Sequence, residues 1–219
     1  MHRPDDVRLS RSPAPPHPQE HLELQLDWDV VRLHGRWSTG PDNDYVMDRL
    51  STVPSEVTAH GEPRRVLEVA AAEAIHSCKL SLRGIECFVI EPSPAMLDRA
   101  RARIAEHGAR VALVRGIAET LPFADQTFSS ALAILVLHHL NTAQLQDRLF
   151  AECFRVLGPG GVFLAFDIPD GWLHRMAHIR STFTPIDPVT VSARLASAGF
   201  VRSRVEIRNG GFLLTAMRS

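Results

Sequence analysis

Residues 87–97 have the sequence Cys-Phe-Val-Ile-Glu-Pro-Ser-Pro-Ala-Met-Leu, in which a short apolar run ends in an acid and turns into a helix. Four consecutive apolar residues are typical of a strand that is buried on both faces. Ser93 followed by Pro94 is an N-cap signal, and apolar residues at helical spacing come after it. The stretch therefore predicts a strand, a tight turn and a helix, which is the repeating unit of a parallel α/β sheet.

The same unit recurs along the chain. Further short apolar runs occupy residues 66–69, 111–114, 130–135 and 162–166. A helical pattern opens at Asn141-Thr142 and ends before Gly158-Pro159-Gly160-Gly161, which predicts a turn into the fifth strand. Strands that alternate with helices predict a doubly wound α/β fold with five parallel strands.

The carboxy-terminal part follows a different pattern. Residues 187–198 are predicted to form a helix that Gly199 closes. Residues 201–208 and 212–218 then flank Asn209-Gly210-Gly211, which is a hairpin signal. The sheet is therefore expected to end in an antiparallel hairpin.

The chain divides into three segments. Its 219 residues, 45% of them hydrophobic, suit one large domain with additions. Residues 1–20 contain five prolines and predict a disordered leader. Residues 21–60 look helical and aromatic, and we expect them to cover the carboxyl edge of the sheet as a lid. Residues 61–219 are expected to form the α/β domain.

Composition and charge restrict the partners. Lys plus Arg number 24 and Asp plus Glu number 25, for a net charge of −1. Such a balance provides no global field for nucleic acid or acidic lipid, so we expect neither as a partner. No apolar run reaches the length of a membrane helix. Three scattered cysteines suit neither a disulfide framework nor a zinc site, and we expect a cytoplasmic protein that acts on a small molecule.

Five motifs occur in a fixed order in this α/β pattern. They are Val66-Leu67-Glu68-Val69, residues 89–97, Leu121-Pro122-Phe123-Ala124-Asp125-Gln126-Thr127-Phe128, Leu137-His138-His139-Leu140 and Arg155-Val156-Leu157-Gly158-Pro159-Gly160-Gly161. Over about residues 36–218 the chain resembles class I S-adenosylmethionine-dependent methyltransferases, of the small-molecule type related to ubiquinone and menaquinone biosynthesis enzymes. The resemblance implies a seven-stranded, Rossmann-like sheet with S-adenosylmethionine as the cofactor.

The loop after the first strand departs from the pattern of that family. The family has G-x-G-x-G here, whereas this chain has Ala70-Ala71-Ala72-Glu73-Ala74. Ala70 is an acceptable change, but a methyl group on Ala72 or Ala74 costs about 1–2 kcal/mol wherever the backbone is left-handed. Glu73 occupies the position of a usual Thr or Ser, which places an acid near the expected carboxylate of the cofactor.

Two further positions bear on the cofactor. By resemblance Glu91 would bind the ribose hydroxyls, although an acid at a helix N-terminus is also stabilised by the helix dipole. Ile117 stands where the family has an aspartate that meets the adenine amino group, and its side chain accepts no hydrogen bond. Ser129 replaces another usual aspartate. We therefore expect a degenerate cofactor site, with Ala70, Ala72, Glu73, Ala74, Glu91 and Ile117 as its positions, and binding of S-adenosylmethionine in doubt.

Polar residues at the ends of the later strands could perform chemistry. His138 and His139 follow the fourth strand, and Asp167 ends the fifth, so all three should lie at the carboxyl edge. A histidine can act as an acid, a base or a polar clamp near neutral pH. We expect one of the two histidines to be structural and choose His138 for the cleft, with Asp170 as a second acid.

Other residues are candidates for covering a substrate. They are Trp28, Trp37, Tyr45, His174 and His178. The aromatic residues could instead only pack within the lid, and the two histidines could be solvated. His174 and His178 have the spacing of a metal pair, but no third ligand is evident, so no metal is expected. Residues 99–103, Arg-Ala-Arg-Ala-Arg, are predicted to be an exposed helix face.

Three functions remain open. The first is a repurposed small-molecule enzyme, such as a cyclase or isomerase, that acts without methyl transfer. The second is an active S-adenosylmethionine-dependent methyltransferase for an oxygen, nitrogen or carbon nucleophile. The third is a non-catalytic partner of another enzyme. The altered loop favours the first over the others at this point.

Overall fold

The computed structural model describes residues 64–177, 183–208 and 211–219. In these ranges helices and strands alternate as expected, except that β4 follows β3 without a helix between them. The elements are β1 (Arg65–Val69), α1 (Ile75–Ser81), β2 (Glu86–Glu91), α2 (Pro94–His107), β3 (Val111–Arg115), β4 (Phe128–Ile134), a 3₁₀ turn (Leu137–His139), α3 (Ala143–Val156), β5 (Leu157–Asp167), α4 (Trp172–Ala177), α5 (Val191–Ser197), β6 (Phe200–Arg208) and β7 (Gly211–Arg218).

These strands form one seven-stranded sheet in the order β3-β2-β1-β4-β5-β7-β6. The first five pair in parallel. β7 runs antiparallel to β5 and to β6. The doubly wound sheet with an antiparallel carboxy-terminal hairpin is therefore confirmed, although residues 209 and 210 of its turn lie outside the described ranges.

Local signals in the sequence set the ends of two helices. The hydroxyl of Ser93 accepts a hydrogen bond from the Met96 amide, which caps α2, and Gly108 ends this helix at a φ of 64°. The hydroxyl of Thr142 accepts from the Leu145 amide and caps α3 in the same way. Each cap satisfies a backbone donor that the helix itself leaves without a partner.

Two predicted boundaries were wrong. Residues 158–161 do not form a turn before the fifth strand but lie within β5, because Leu157 already pairs with Phe128 of β4. The last helix begins at Val191 rather than at Asp187. Asp187 belongs to the preceding turn, where its side chain accepts a hydrogen bond from the Val189 amide.

Arg155 connects two of the motifs that carry the resemblance. Its guanidinium donates to both carboxylate oxygens of Glu152, to Asp125 and to the carbonyls of Leu121 and Phe123. These acids raise the pKa of Arg155 above its ordinary value, so it remains charged. The arginine of one motif thus fixes the loop of the other, so both motifs have a structural role in this fold.

The strand order creates a switch point between β1 and β4. From β1 the chain moves outward to β2 and β3, then returns to the other side of β1 with β4 and β5. Ligands of open α/β sheets bind at the carboxyl ends of strands at such a point. The loop after β1 and the turn after β4, with residues 70–74 and 135–139, therefore border the expected site.

Several predictions lie outside the described residues. These are the disordered leader, residues 1–20, and the lid, residues 21–60. Within the ranges described, no helix is both long enough and apolar enough to cross a bilayer.

Candidate active site

The loop after β1 keeps a backbone shape that normally requires glycine. Ala70, Ala72 and Ala74 have φ angles of 48°, 44° and 56°, all in the left-handed region. The strain predicted for Ala72 and Ala74 is therefore present, and Ala70 has it as well. At about 1–2 kcal/mol for each such residue, the loop is held in this shape by interactions elsewhere.

Glu91 supplies one of those interactions. It ends β2 and is buried, with 3% of its surface exposed. One of its carboxylate oxygens accepts a hydrogen bond from the Ala72 amide at 3.0 Å, and the other accepts from the Ser93 amide at 2.9 Å. Burial raises the pKa of Glu91 to about 7, against the lowering effect of these two hydrogen bonds. Glu91 thus joins the loop after β1 to the start of α2.

The side chain of Glu73 pairs with two arginines of α2. Its carboxylate accepts hydrogen bonds from Arg99 at 2.8 Å and from Arg103 at 2.5 Å, both on α2. Burial raises the pKa of Glu73, but the two guanidinium groups outweigh it and hold the pKa below its ordinary value. The prediction of an exposed helix face holds for Arg101 but was wrong for Arg99 and Arg103, which are half-buried against Glu73.

Ile117 follows β3 and is half-buried. It forms an isolated bridge with Thr120, so its backbone belongs to a tight turn. Its side chain offers no hydrogen-bond acceptor to an adenine amino group. Ser129 lies in β4, and its hydroxyl donates to the Arg65 carbonyl at 3.0 Å, which makes it part of the sheet.

His138 and Asp167 come together at the carboxyl edge, as their positions in the sequence predicted. The Nδ1 atom of His138 lies 2.6 Å from a carboxylate oxygen of Asp167. Asp167 also accepts from the amides of Leu137 and Ile168, at 2.8 and 2.7 Å. Both side chains are completely buried. Asp167 therefore fixes the orientation of the His138 ring and the shape of the turn around it.

His139 is the more exposed of the two histidines, because it is half-buried while His138 is completely buried. The two rings are 4.1 Å apart between centroids. The preference for His138 as the residue in the cleft is not supported by its burial.

Gln146 braces this turn from α3. Its side-chain amide donates to the carbonyls of Leu137 and Thr184, each at 2.9 Å. Its carbonyl oxygen accepts from Arg194 of α5 at 2.9 Å. The Thr184 amide in turn donates to the His138 carbonyl at 2.8 Å. The turn after β4 is thus attached to two helices and to the segment that leads into α5.

Sequence reasoning missed a third buried acid. Glu68 of β1 is 2% exposed and lies 2.9 Å from Nδ1 of His76. Its other oxygen accepts hydrogen bonds from the amide and the hydroxyl of Ser77. The available signal was an acid inside an otherwise apolar strand, since such a residue needs polar partners when it is buried.

The predicted covering residues fall mostly outside the described ranges. Trp28, Trp37, Tyr45 and His178 lie there, and the side chain of His174 does too, although its backbone belongs to α4. Asp170 forms an exposed ion pair with Arg175. Among the side chains that the structure describes, no group of three or more His, Cys, Asp or Glu is arranged to hold a metal ion.

A family comparison matches the central part of the chain. Residues 67–165 match the family model described as a methyltransferase domain. This part of the chain is therefore similar to a methyltransferase domain. Its matched residues run from β1 to β5 and so include the altered loop, Glu91 and the His138 turn.

Similar proteins carry related names. An uncharacterized methyltransferase of Synechocystis is 30% identical over 128 residues, which cover 58% of each chain. The ubiquinone/menaquinone biosynthesis C-methyltransferase UbiE of Nitrobacter hamburgensis is 32% identical over 123 residues, or 51% of this chain and 47% of the relative. The chain thus spans about half the length of these relatives.

Solved structures confirm the methyltransferase-like fold without choosing a reaction. The [4+2]-cyclase SpnF superimposes with a TM-score of 0.62 at 18% identity, over 78% of this chain and 80% of that one. Identity this low shows a shared fold alone. Because a cyclase has the fold as well, the reaction has to be argued from the site.

Proposed function

We propose that this domain is a small-molecule methyltransferase that binds S-adenosylmethionine over the loop of residues 70–74. The observation that carries the proposal is the left-handed backbone at Ala70, Ala72 and Ala74. This is the backbone shape for which the family uses glycine, and the present loop adopts it despite the cost of three methyl groups.

The residues present fit the cofactor at two of three positions. The loop backbone is shaped as a cradle, and Glu91 lies at the end of β2 in contact with it. Glu73 forms ion pairs with two arginines of α2, and their positive charges reduce its repulsion of the carboxylate of the cofactor. Ile117 supports the proposal least, because no acceptor is available there for the adenine amino group.

Separate residues of the chain would bind the cofactor and accept a proton from the substrate. When bound, S-adenosylmethionine supplies an electrophilic methyl group. Glu91 and the loop backbone hold the ribose and the methionine end. His139 accepts the proton that the nucleophile of the substrate loses, since its ring is half-buried beside the carboxyl edge. His138 and Asp167 position that ring through the contact between the two imidazoles.

Calorimetric titration with S-adenosylmethionine and S-adenosylhomocysteine tests this proposal. We expect micromolar binding that Glu91→Ala weakens at least tenfold, since the substitution removes both the ribose acceptor and the anchor of Ala72. Asp98→Asn is the matched control, because Asp98 is an acid of α2 that pairs only with exposed Arg101 in the contacts described. Absence of binding at millimolar ligand refutes the proposal.

A second candidate is favoured by the altered positions themselves. The methyl group of Ala72, together with the apolar side chain of Ile117, suits an organic ligand better than a charged cofactor. In that case the cleft would convert a small molecule without methyl transfer, as a cyclase or isomerase does. Turnover of a substrate in the complete absence of S-adenosylmethionine distinguishes this candidate from the first.

A further inference from the structure

We propose that Glu73, Arg99 and Arg103 form a latch that holds the alanine loop, residues 70–74, in the shape that binds a ligand. The side chains of these three residues act as positioning groups and lie outside the ligand contacts proposed above, which Glu91 and the loop backbone make. The proposal rests on the proposed function only where ligand affinity is measured, because the shape of the loop can also be followed in the unliganded protein.

The position of Glu73 in the loop supports a latch. Glu73 stands between Ala72 and Ala74, whose φ angles are 44° and 56°. Its side chain leaves the loop toward α2 and forms ion pairs at 2.8 and 2.5 Å. One side chain therefore attaches the strained centre of the loop to a regular helix.

The helix offers a suitable anchor. Arg99 and Arg103 are four residues apart on α2, so their side chains project from the same face. The 14 residues of α2 follow the N-cap residue Ser93, whose amide donates to Glu91. The loop is thus joined to α2 twice, through the Ala72 amide and Glu91 at the start of the helix and through Glu73 farther along it.

The latch explains how this loop can lack glycine. A glycine loop adopts left-handed angles without a steric penalty, whereas an alanine loop favours other conformations. A carboxylate held by two guanidinium groups, with 20% of its side chain exposed, opposes that preference more strongly than a fully exposed ion pair does. The latch is therefore needed in the alanine loop and dispensable in a glycine loop.

A double-mutant cycle tests this dependence. Glu73→Gln is made in the natural chain and in an Ala72→Gly/Ala74→Gly background, and far-UV circular dichroism verifies that all four proteins are folded. Hydrogen–deuterium exchange of residues 70–74 is followed without ligand, and the affinity for S-adenosylhomocysteine is measured by calorimetry.

In the alanine loop we expect Glu73→Gln to speed exchange and to weaken affinity roughly tenfold, and in the glycine loop less than about twofold. Arg99→Lys/Arg103→Lys keeps both charges, so it should retain most of the protection and is the conservative control. If Glu73→Gln does not fold, Arg99→Gln, which removes one of the two ion pairs, takes its place in both backgrounds and should speed exchange in the alanine loop alone. Asp98→Asn, which removes an exposed ion pair from the same helix, should change neither readout.

Equal effects of Glu73→Gln in the two backgrounds would overturn the latch, because a purely structural ion pair contributes the same amount to either loop. Unchanged exchange in the alanine loop would overturn it as well. If the natural chain binds neither S-adenosylmethionine nor S-adenosylhomocysteine, the proposed function fails, and the exchange measurements alone still decide the latch.

Discussion

Replacing Ala72 by glycine should stabilise the protein, in contrast to the usual effect of introducing glycine. Ala72 has a φ of 44°, and removing its methyl group relieves about 1–2 kcal/mol of left-handed strain. Against this, the unfolded chain gains freedom that costs about 0.5–1 kcal/mol. The net gain is about 0.5–1 kcal/mol, or a rise of roughly 1–4 °C in Tm for a domain of this size.

Two neighbouring alanines make the prediction sharper. Ala74 has the same left-handed strain but is completely buried, so removing its methyl group also loses about 0.8 kcal/mol of hydrophobic burial. This loss and the greater freedom of the unfolded chain together offset the relief of strain, so Ala74→Gly should leave stability nearly unchanged. Ala71 lies in the same loop without a left-handed φ, and Ala71→Gly should destabilise by about 0.5–1 kcal/mol.

Urea titration and differential scanning calorimetry of the three variants measure this order. The expected ranking of stability is Ala72→Gly above the natural chain, Ala74→Gly near it and Ala71→Gly below it. If Ala72→Gly destabilises as much as Ala71→Gly, the left-handed conformation of Ala72 is refuted, and the argument for a cofactor cradle is refuted with it.

Three further predictions concern the acids and the arginine that support the site. The free energy of unfolding that Glu91 contributes should fall as the pH rises from about 4.5 to about 7, because its raised pKa lets the folded state hold a proton that the unfolded state has lost. Glu91→Gln should remove up to about 3 kcal/mol of this pH dependence. Urea unfolding at pH 5 and pH 8 measures the difference. Asp167→Asn should destabilise by about 2–4 kcal/mol in the same assay, because an amide cannot accept from all three donors that Asp167 binds, among them His138. Arg155→Lys should cost about 1–3 kcal/mol, because an ammonium group cannot reach two acids and two carbonyls together.

Controls for these variants come from exposed groups of the same chemical type. Arg101→Lys alters an arginine whose ion pair with Asp98 is exposed, and it should stay within about 0.5 kcal/mol of the natural chain. Equal losses for Arg101→Lys and Arg155→Lys would contradict the structural role of Arg155. If the free energies of unfolding of Glu91→Gln and of the natural chain differed by the same amount at every pH, the raised pKa of Glu91 would be contradicted.

The fold was predictable because its signals are local. Short apolar runs mark the parallel strands, Ser93-Pro94 marks a helix start, and Asn209-Gly210-Gly211 marks the hairpin. The pair of His138 and Asp167 was also predictable, although 29 residues separate them. Both come directly after or at the end of a parallel strand, and adjacent parallel strands bring their carboxyl ends to one edge.

The direction in which the Glu73 side chain points could not be predicted from such local signals. Its partners lie 26 and 30 residues farther along, on a helix whose rotation about its own axis determines which arginines reach the loop. The pattern of charges in residues 99–103 is equally compatible with a solvated face. Only the packing of α2 against the sheet distinguishes the two, and that packing depends on the whole core.

Buried acids at three strands suggest why this edge keeps its shape without glycine. Glu68, Glu91 and Asp167 are each at most 3% exposed, and each accepts a backbone amide from a neighbouring segment. Glu68 accepts from Ser77 in α1, Glu91 from Ala72 in the loop after β1, and Asp167 from Leu137 in the turn after β4. Burying a carboxylate is costly, and the cost is offset only while those amides remain in place. A change in the backbone of any of these segments would therefore leave a buried carboxyl group without its donors. Of the three acids, Glu91 holds the alanine loop directly through the Ala72 amide and so opposes the conformational preference of the alanines. The altered loop can thus retain a ligand-binding backbone that its own side chains disfavour.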